Sequence, residues 1–229
     1  VLDDPQQAAY VLDTLKGPAI DRCAGDFLFF LRFVVTRDEA DQESVKPFPM
    51  YPYLLELARE ITTHQRVAVV KSRQLLVSGL LCAYAVWLAR FHPHKYSIWQ
   101  TQKDEDAQKM VCVAGGERTG GYLARCHFIE VNLPTWLRMP LAPSAGKLGY
   151  PNGSLIEAVA GGAHQVRGKV ASLIIEDEMA FQPEAAGVYQ AVAPLIQKQC
   201  QFLAVSTPNG PTGMFAELYH GRPFQAVTA

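Results

Sequence analysis

Six short apolar runs recur along the chain: VAVVK (67–71), YSIWQ (96–100), HFIEV (127–131), SLIEAV (154–159), ASLIIED (171–177) and QFLAVS (201–206). Each reads as a buried strand, bounded by turn residues or by segments with helical spacing. The predicted helices cover 54–64, 77–89, 101–114, with acidic residues in its first turn, and 184–199. Strands and helices in alternation require crossovers, so the expected fold is α/β, a mainly parallel β-sheet flanked by helices. In such folds ligands bind where loops leave the C-terminal ends of the strands. The search for chemistry therefore narrows to those loops.

The chain has 229 residues, 49% of them hydrophobic, enough to bury one substantial core. The Pro/Tyr-rich KPFPMYPY (46–53) marks an expected boundary between an N-terminal lead-in or small subdomain, 1–47, and a catalytic core, 48–229. A formal net charge of −1 gives no global basic field, so any nucleic-acid contact must be local or transient. The five cysteines form no CxxC pair and have no histidine at zinc-ligand spacing, which fits a reduced, cytoplasmic setting. No secretory signal opens the chain and no apolar stretch reaches membrane-spanning length, so no membrane partner is expected.

Between the first core strand and its helix lies KSRQLLVS: Lys71, Ser72, Arg73, Gln74, Leu75, Leu76, Val77 and Ser78. Unpaired backbone N–H groups and the helix dipole favour an anion at such a junction. Lys71 can neutralise β- and γ-phosphate oxygens, Ser78 can place its hydroxyl on Mg²⁺, and Arg73 can meet charge developing on a transferred phosphoryl group. The pattern GxxxxGK[ST] is absent, because Leu76 and Val77 stand where glycine and lysine would precede the hydroxyl residue. Taken alone, the segment also suits a solvated basic turn ahead of a core helix.

ASLIIEDEMAF is the stronger signal, an apolar strand with Asp177 and Glu178 at its C-terminal end. Asp177 would hold Mg²⁺, directly or through its water, and Glu178 would polarise the attacking water. Glu176 competes for that role, since strand alternation puts Glu176 and Glu178 on one face and Asp177 on the other. One strand later, QFLAVSTPNG ends in Ser206 and Thr207 and breaks at Pro208, Asn209 and Gly210, where a hydroxyl pair could sense a γ-phosphate.

In this order, VVKSRQLLVS, VRGKVASLIIEDEMAF and FLAVSTPNG resemble the ATPase motifs of large terminase subunits from tailed bacteriophages, over roughly residues 48–219. The resemblance implies a P-loop NTPase fold of the ASCE/RecA-like type with ATP and Mg²⁺ as cofactors. It gives Lys71 a phosphate contact, puts Arg73 beside the phosphates, makes Ser78 and Asp177 the metal ligands and Glu178 the catalytic carboxylate. Thr207 and Asn209 would belong to the motif coupling γ-phosphate state to movement, and Arg167, in a matching Arg-Gly, would sense charge. Arg138 is a candidate arginine finger, supplied to a neighbouring subunit.

The resemblance further implies double-stranded DNA, a portal protein and a small terminase subunit as partners. A homo-oligomeric ring in the host cytoplasm, at the procapsid portal, completes that picture. Leu76 departs from the family, where a glycine lets the backbone wrap phosphate closely. The family's adenine-reading glutamine also has no match in KPFPMYPYL, leaving Tyr51 or Tyr53 as the residue to stack on the base. With 19 residues after Gly210, the chain is expected to hold the motor without the family's RNase H-like nuclease, and no nuclease activity is expected. Two rival readings are a DExx-type helicase or translocase lobe and a degenerate nucleotide-binding scaffold.

Overall fold

The computed structural model describes residues 16–37, 45–101, 121–144, 146–221 and 224–229. Eight strands form one sheet: β3 (Arg66–Val70), β4 (Tyr96–Thr101), β5 (Ala142–Ser144), β6 (Lys147–Gly149), β7 (Leu155–Ala160), β8 (Leu173–Asp177), β9 (Gln201–Ser206) and β10 (Gln225–Thr228). Their spatial order is β10-β3-β9-β8-β4-β7-β6-β5, parallel from β10 to β7 and antiparallel at β6 and β5. A separate antiparallel pair joins β1 (Val35–Arg37) to β2 (Val45–Pro47). This is the α/β architecture, a mainly parallel sheet with helices on both faces, expected from the alternating pattern.

The side-chain alternation of the central strands divides the core in two. Val67, Val69, Trp99, Leu173, Ile175, Leu203 and Val205 point to one face, where they pack with residues of α2 (Pro52–Thr63), α3 (Val77–Phe91) and α4 (Tyr122–Asn132). On the other face, Ala68, Ile98, Ile174, Phe202 and Ala204 meet residues of α5 (Ala163–Val166), α6 (Ala185–Gln197) and α7 (Met214–His220). α2 begins with proline at its first turn, where no intrahelical N–H is needed, and buries Leu54, Leu57, Ala58 and Ile61 at i, i+3, i+4 and i+7 spacing. α3 is buried nearly all round, as its unbroken apolar run requires. Cys23, Phe27, Phe30 and Leu31, ahead of Phe48, are buried in the same cluster as Leu54 and Leu81, with Phe27 and Phe30 on the short helix α1 (Phe27–Phe30).

One predicted strand is wrong. HFIEV lies inside α4, where Leu123, Cys126, Ile129 and Glu130 are the buried positions. A five-residue window holds too little of a 3.6-residue period to distinguish helix from strand, whereas the eleven residues YLARCHFIEVN show the i, i+3 spacing. The helix predicted over 101–114 falls mostly outside the described residues, Thr101 being the last residue of β4. Among the described residues no helix is long and apolar enough to cross a membrane.

Candidate active site

All six parallel strands end at one edge of the sheet, and β9 lies between β3 and β8. That order puts the ends of β3 and β8 two strand spacings apart, about 9.5 Å. Only a long side chain spans such a gap. Lys71, the first residue after β3, does so: its Nζ lies 2.9 Å from Glu178 Oε1 and 3.9 Å from Asp177 Oδ1. The lysine is buried to 9% exposure and its backbone N–H donates to Ser206 O at 3.0 Å.

The loop between β3 and α3 then runs from Ser72 to Leu76. Ser72, Arg73 and Gln74 are exposed, while Leu75 and Leu76 pack partly against the main core. Gln74 and Leu76 both take left-handed backbone angles, φ 62° and 55°. Leu76 thus stands in the conformation that suits glycine, at a cost of about 1–2 kcal/mol. It is also the N-cap of α3 and offers no side-chain acceptor, so no capping side chain satisfies the first N–H groups of that helix. Tyr53 braces the loop from outside by donating its hydroxyl to Leu75 O at 3.2 Å, and Tyr51, half exposed, stacks on Tyr53 with ring centroids 5.8 Å apart.

Ser78, in the first turn of α3, points its Oγ at Asp177 Oδ2, 3.4 Å away. The same carboxylate oxygen accepts a short hydrogen bond from the Tyr122 hydroxyl, while Oδ1 accepts Glu178 N–H at 2.9 Å. Burial raises the Asp177 pKa more than Lys71 and the Tyr122 hydrogen bond lower it, the lysine being nearer to Glu178. Glu178 goes the other way. Burial would raise it, but the hydrogen bond and charge of Lys71, joined by Thr207, hold it below the ordinary carboxylate range.

The register argument placed Glu178 with Glu176, and the structure corrects it. β8 stops at Asp177, and Glu178 adopts φ 51°, ψ 38°, so the alternation is broken and both acids turn toward Lys71. Glu176 keeps the strand alternation and is fully buried on the opposite face, beside Gln182, so it cannot serve as the catalytic acid. Its burial pushes its pKa up to about 8.

Thr207 gathers on the same acid. Its N–H and hydroxyl lie 3.3 and 3.2 Å from Glu178 Oε2, and Ser206 Oγ lies 3.4 Å from that oxygen. Ser206 Oγ also accepts Ala180 N–H at 3.2 Å, and Asn209 Nδ2 donates to Ala180 O at 2.9 Å, which ties the turn after β9 to the segment after β8. Pro208 and Gly210 are exposed in that turn, with Gly210 at φ 82°.

The candidate arginines do not join this cluster. Among the described residues the polar partners of Asp177 and Glu178 include Lys71 but no arginine. Arg73 is exposed in the loop; Arg167, exposed, follows α5 at the same sheet edge. Arg138 is exposed beyond the C-terminal end of α4, where its Nε donates to Leu133 O, while Tyr122 at the other end of that helix touches Asp177. About 15 Å of helix separates the two ends. Tyr122 and the Trp99 ring beneath it escaped the sequence reading, because neither sits in a motif and Tyr122 is 55 residues from Asp177.

A hydroxyl and a carboxylate are hard oxygen donors and suit Mg²⁺, which takes one or two protein oxygens and completes its shell with water and phosphate. Among the described residues no group of three or more His, Cys, Asp or Glu could hold a metal on its own. The pair Ser78–Asp177 therefore fits a cation that arrives with a phosphate substrate.

Solved structures share this fold. The large terminase ATPase domain of Thermus phage P74-26 superposes with a TM-score of 0.58 at 17% identity, over 79% of this chain and 81% of that one. A mutant of the same domain gives 0.57 at 16%, over 80% and 82%. The large terminase of bacteriophage HK97 gives 0.55 at 14%, over 82% of this chain and 37% of that chain. No family model matches the sequence, and no curated protein does. At these identities the likeness concerns the fold.

Proposed function

We propose that this chain is the ATP-hydrolysing motor domain of a viral DNA-packaging terminase, translocating double-stranded DNA into a procapsid. The observation that carries the reading is the convergence of Lys71, Ser78, Asp177, Glu178 and Thr207, drawn from three strand ends and the first turn of α3, into one network of hydrogen bonds and ion pairs. The shared fold with phage terminase ATPase domains supports the same reading.

In this proposal the uncapped N-terminus of α3 and the Lys71 ammonium bind the β- and γ-phosphates of ATP. Ser78 and Asp177 would hold Mg²⁺, which supplies positive charge to the phosphate oxygens. Glu178, kept ionised by Lys71 and oriented by Thr207, orients the attacking water and takes its proton. Thr207 then feels the change at Glu178 and passes it through the Asn209 turn to an element that grips DNA. The chain works in a ring at a portal protein, with a small terminase subunit, in the host cytoplasm. A neighbour's arginine, Arg138 being one candidate, completes the charge around the γ-phosphate.

The test is steady-state ATP turnover with and without double-stranded DNA. Glu178→Gln and Lys71→Ala should each lower the rate at least about tenfold, since each removes transition-state stabilisation. Unchanged rates in both variants would defeat the assignment. One observation favours a second reading, a nucleotide-binding scaffold without turnover: Leu76 fills the place where bare backbone would wrap phosphate. Tight ATP binding with no hydrolysis in the assembled ring would favour it.

A further inference from the structure

Asp177 is held by a residue that belongs to no motif. Tyr122 opens α4, its hydroxyl donates to Asp177 Oδ2, and its ring lies on Trp99 of β4 with centroids 4.0 Å apart and planes 19° from parallel. Trp99 is almost wholly buried, at 1% exposure, so the platform under the phenol is fixed. The Tyr122 carbonyl is gripped in turn by Cys82 Sγ of α3, at 3.7 Å. The phenol is thus held by the strand beside β8 and by the helix that carries Ser78.

Ser78 and Tyr122 approach the same carboxylate oxygen. A carboxylate oxygen has two lone pairs, so it can accept from the phenol and still face the serine. The other oxygen is fixed by the Glu178 N–H. With both oxygens restrained, the plane of the carboxylate is set before any cation arrives. This is the role that outer partners play for metal-binding carboxylates generally.

We propose that Tyr122 is a positioning residue for the metal-binding carboxylate: its hydroxyl, seated on Trp99, aims Asp177 Oδ2 at Ser78 and so sets the affinity for the Mg²⁺ that accompanies the nucleotide. The inference rests on the ATPase reading above and deepens it. It makes α4 part of the nucleotide site, because Tyr122 can keep its contact only if the first turn of α4 stays in place.

The experiment is equilibrium binding of a fluorescent N-methylanthraniloyl ATP to the full chain, titrated with Mg²⁺ and repeated in EDTA, alongside circular dichroism melting. Tyr122→Phe deletes one oxygen and keeps the stack. It should raise the Mg²⁺ concentration at half-saturation about tenfold, the loss expected for one hydrogen bond to a charged group. Its affinity for the nucleotide in EDTA should match the parent. Trp99→Leu, which removes the platform, should shift the Mg²⁺ midpoint in the same direction. An unchanged midpoint in Tyr122→Phe overturns the proposal, and so does an equal loss of affinity with and without Mg²⁺, which would make the tyrosine merely structural. If the parent chain binds no nucleotide under any condition while remaining folded, the ATPase reading fails instead, and with it this inference.

Discussion

Three non-glycine residues of the site sit in left-handed backbone, and each tells a different story. At Glu178 the conformation has a purpose, since it swings the acid off the strand alternation and onto Lys71. Gln74 is exposed and gains nothing visible from φ 62°, so Gln74→Gly should stabilise the fold by about 0.5–1 kcal/mol, read as a rise in melting temperature of a few degrees. Leu76 has the same backbone but packs partly against the core. Removing a buried leucine costs about 2–5 kcal/mol, and a half-buried one less, against about 1–2 kcal/mol of strain relieved, so Leu76→Gly should be net destabilising. Opposite signs for these neighbouring substitutions, in one melting series, check the argument.

Glu176 provides a titration at the same scale. Its folded pKa, about 8, lies above its ordinary 4.5, because complete burial disfavours the charged form. The folded chain therefore holds a proton that the unfolded chain has released between those values, and stability falls as pH rises from about 4.5 to about 8. Glu176→Gln cannot ionise. Its stability relative to the parent should grow across that window and level off above it, as urea denaturation at several pH values would show. A constant difference would mean that Glu176 is not buried as described. The sequence named the acids but not their faces: the strand ends at Asp177, as read, but the alternation was carried one residue past it, onto a left-handed Glu178 that does not follow it.

Among the elements, what could be read from sequence depended on length and burial. The five runs that became β3, β4, β7, β8 and β9 are each largely buried on both faces, so each carries a block of adjacent apolar residues that stands out in the sequence. β5, β6 and β10 are edge or near-edge strands of three or four residues with largely exposed side chains, and carry no such signature. α4 was misread for a related reason, its buried stripe being narrow and interrupted by Glu130. That glutamate explains itself only in three dimensions. It meets Arg90 of α3 in a buried ion pair and accepts Met139 N–H at 2.7 Å. Removing one member leaves the other charge buried, so Arg90→Leu and Glu130→Leu should each destabilise by about 3–5 kcal/mol. Together they should cost clearly less than the sum, and a double-mutant cycle by chemical denaturation measures the difference. Additive losses would show that the pair does not tie α3 to α4.

For the whole molecule, the side chains that reach Asp177 and Glu178 include Lys71, Ser78, Tyr122, Ser206 and Thr207 but no arginine, among the described residues. Under the proposed function, phosphoryl transfer would gain strongly from such a cation, and a ring that supplies it between subunits would couple the activity of neighbours. Glu178→Gln subunits keep their arginines, so mixing them with Arg138→Ala subunits should raise ATP turnover above the mean of the two variants measured alone. Turnover equal to that mean would show that Arg138 does not act on a neighbour. None of this was legible from composition, since a net charge of −1 says nothing of where single cations stand.

The position of β9 has a mechanical corollary. The strand is wedged between the one that delivers the lysine and the one that delivers the acids, and the turn at its end holds Glu178 by Thr207 and the Ala180 carbonyl by Asn209. Coupling free energy is reciprocal, so whatever the acid transmits to this turn, a tug on the turn must transmit back to the acid. Under the proposed function, load applied through the DNA would thus be registered at Glu178 itself, and the rate of ATP hydrolysis would answer to tension.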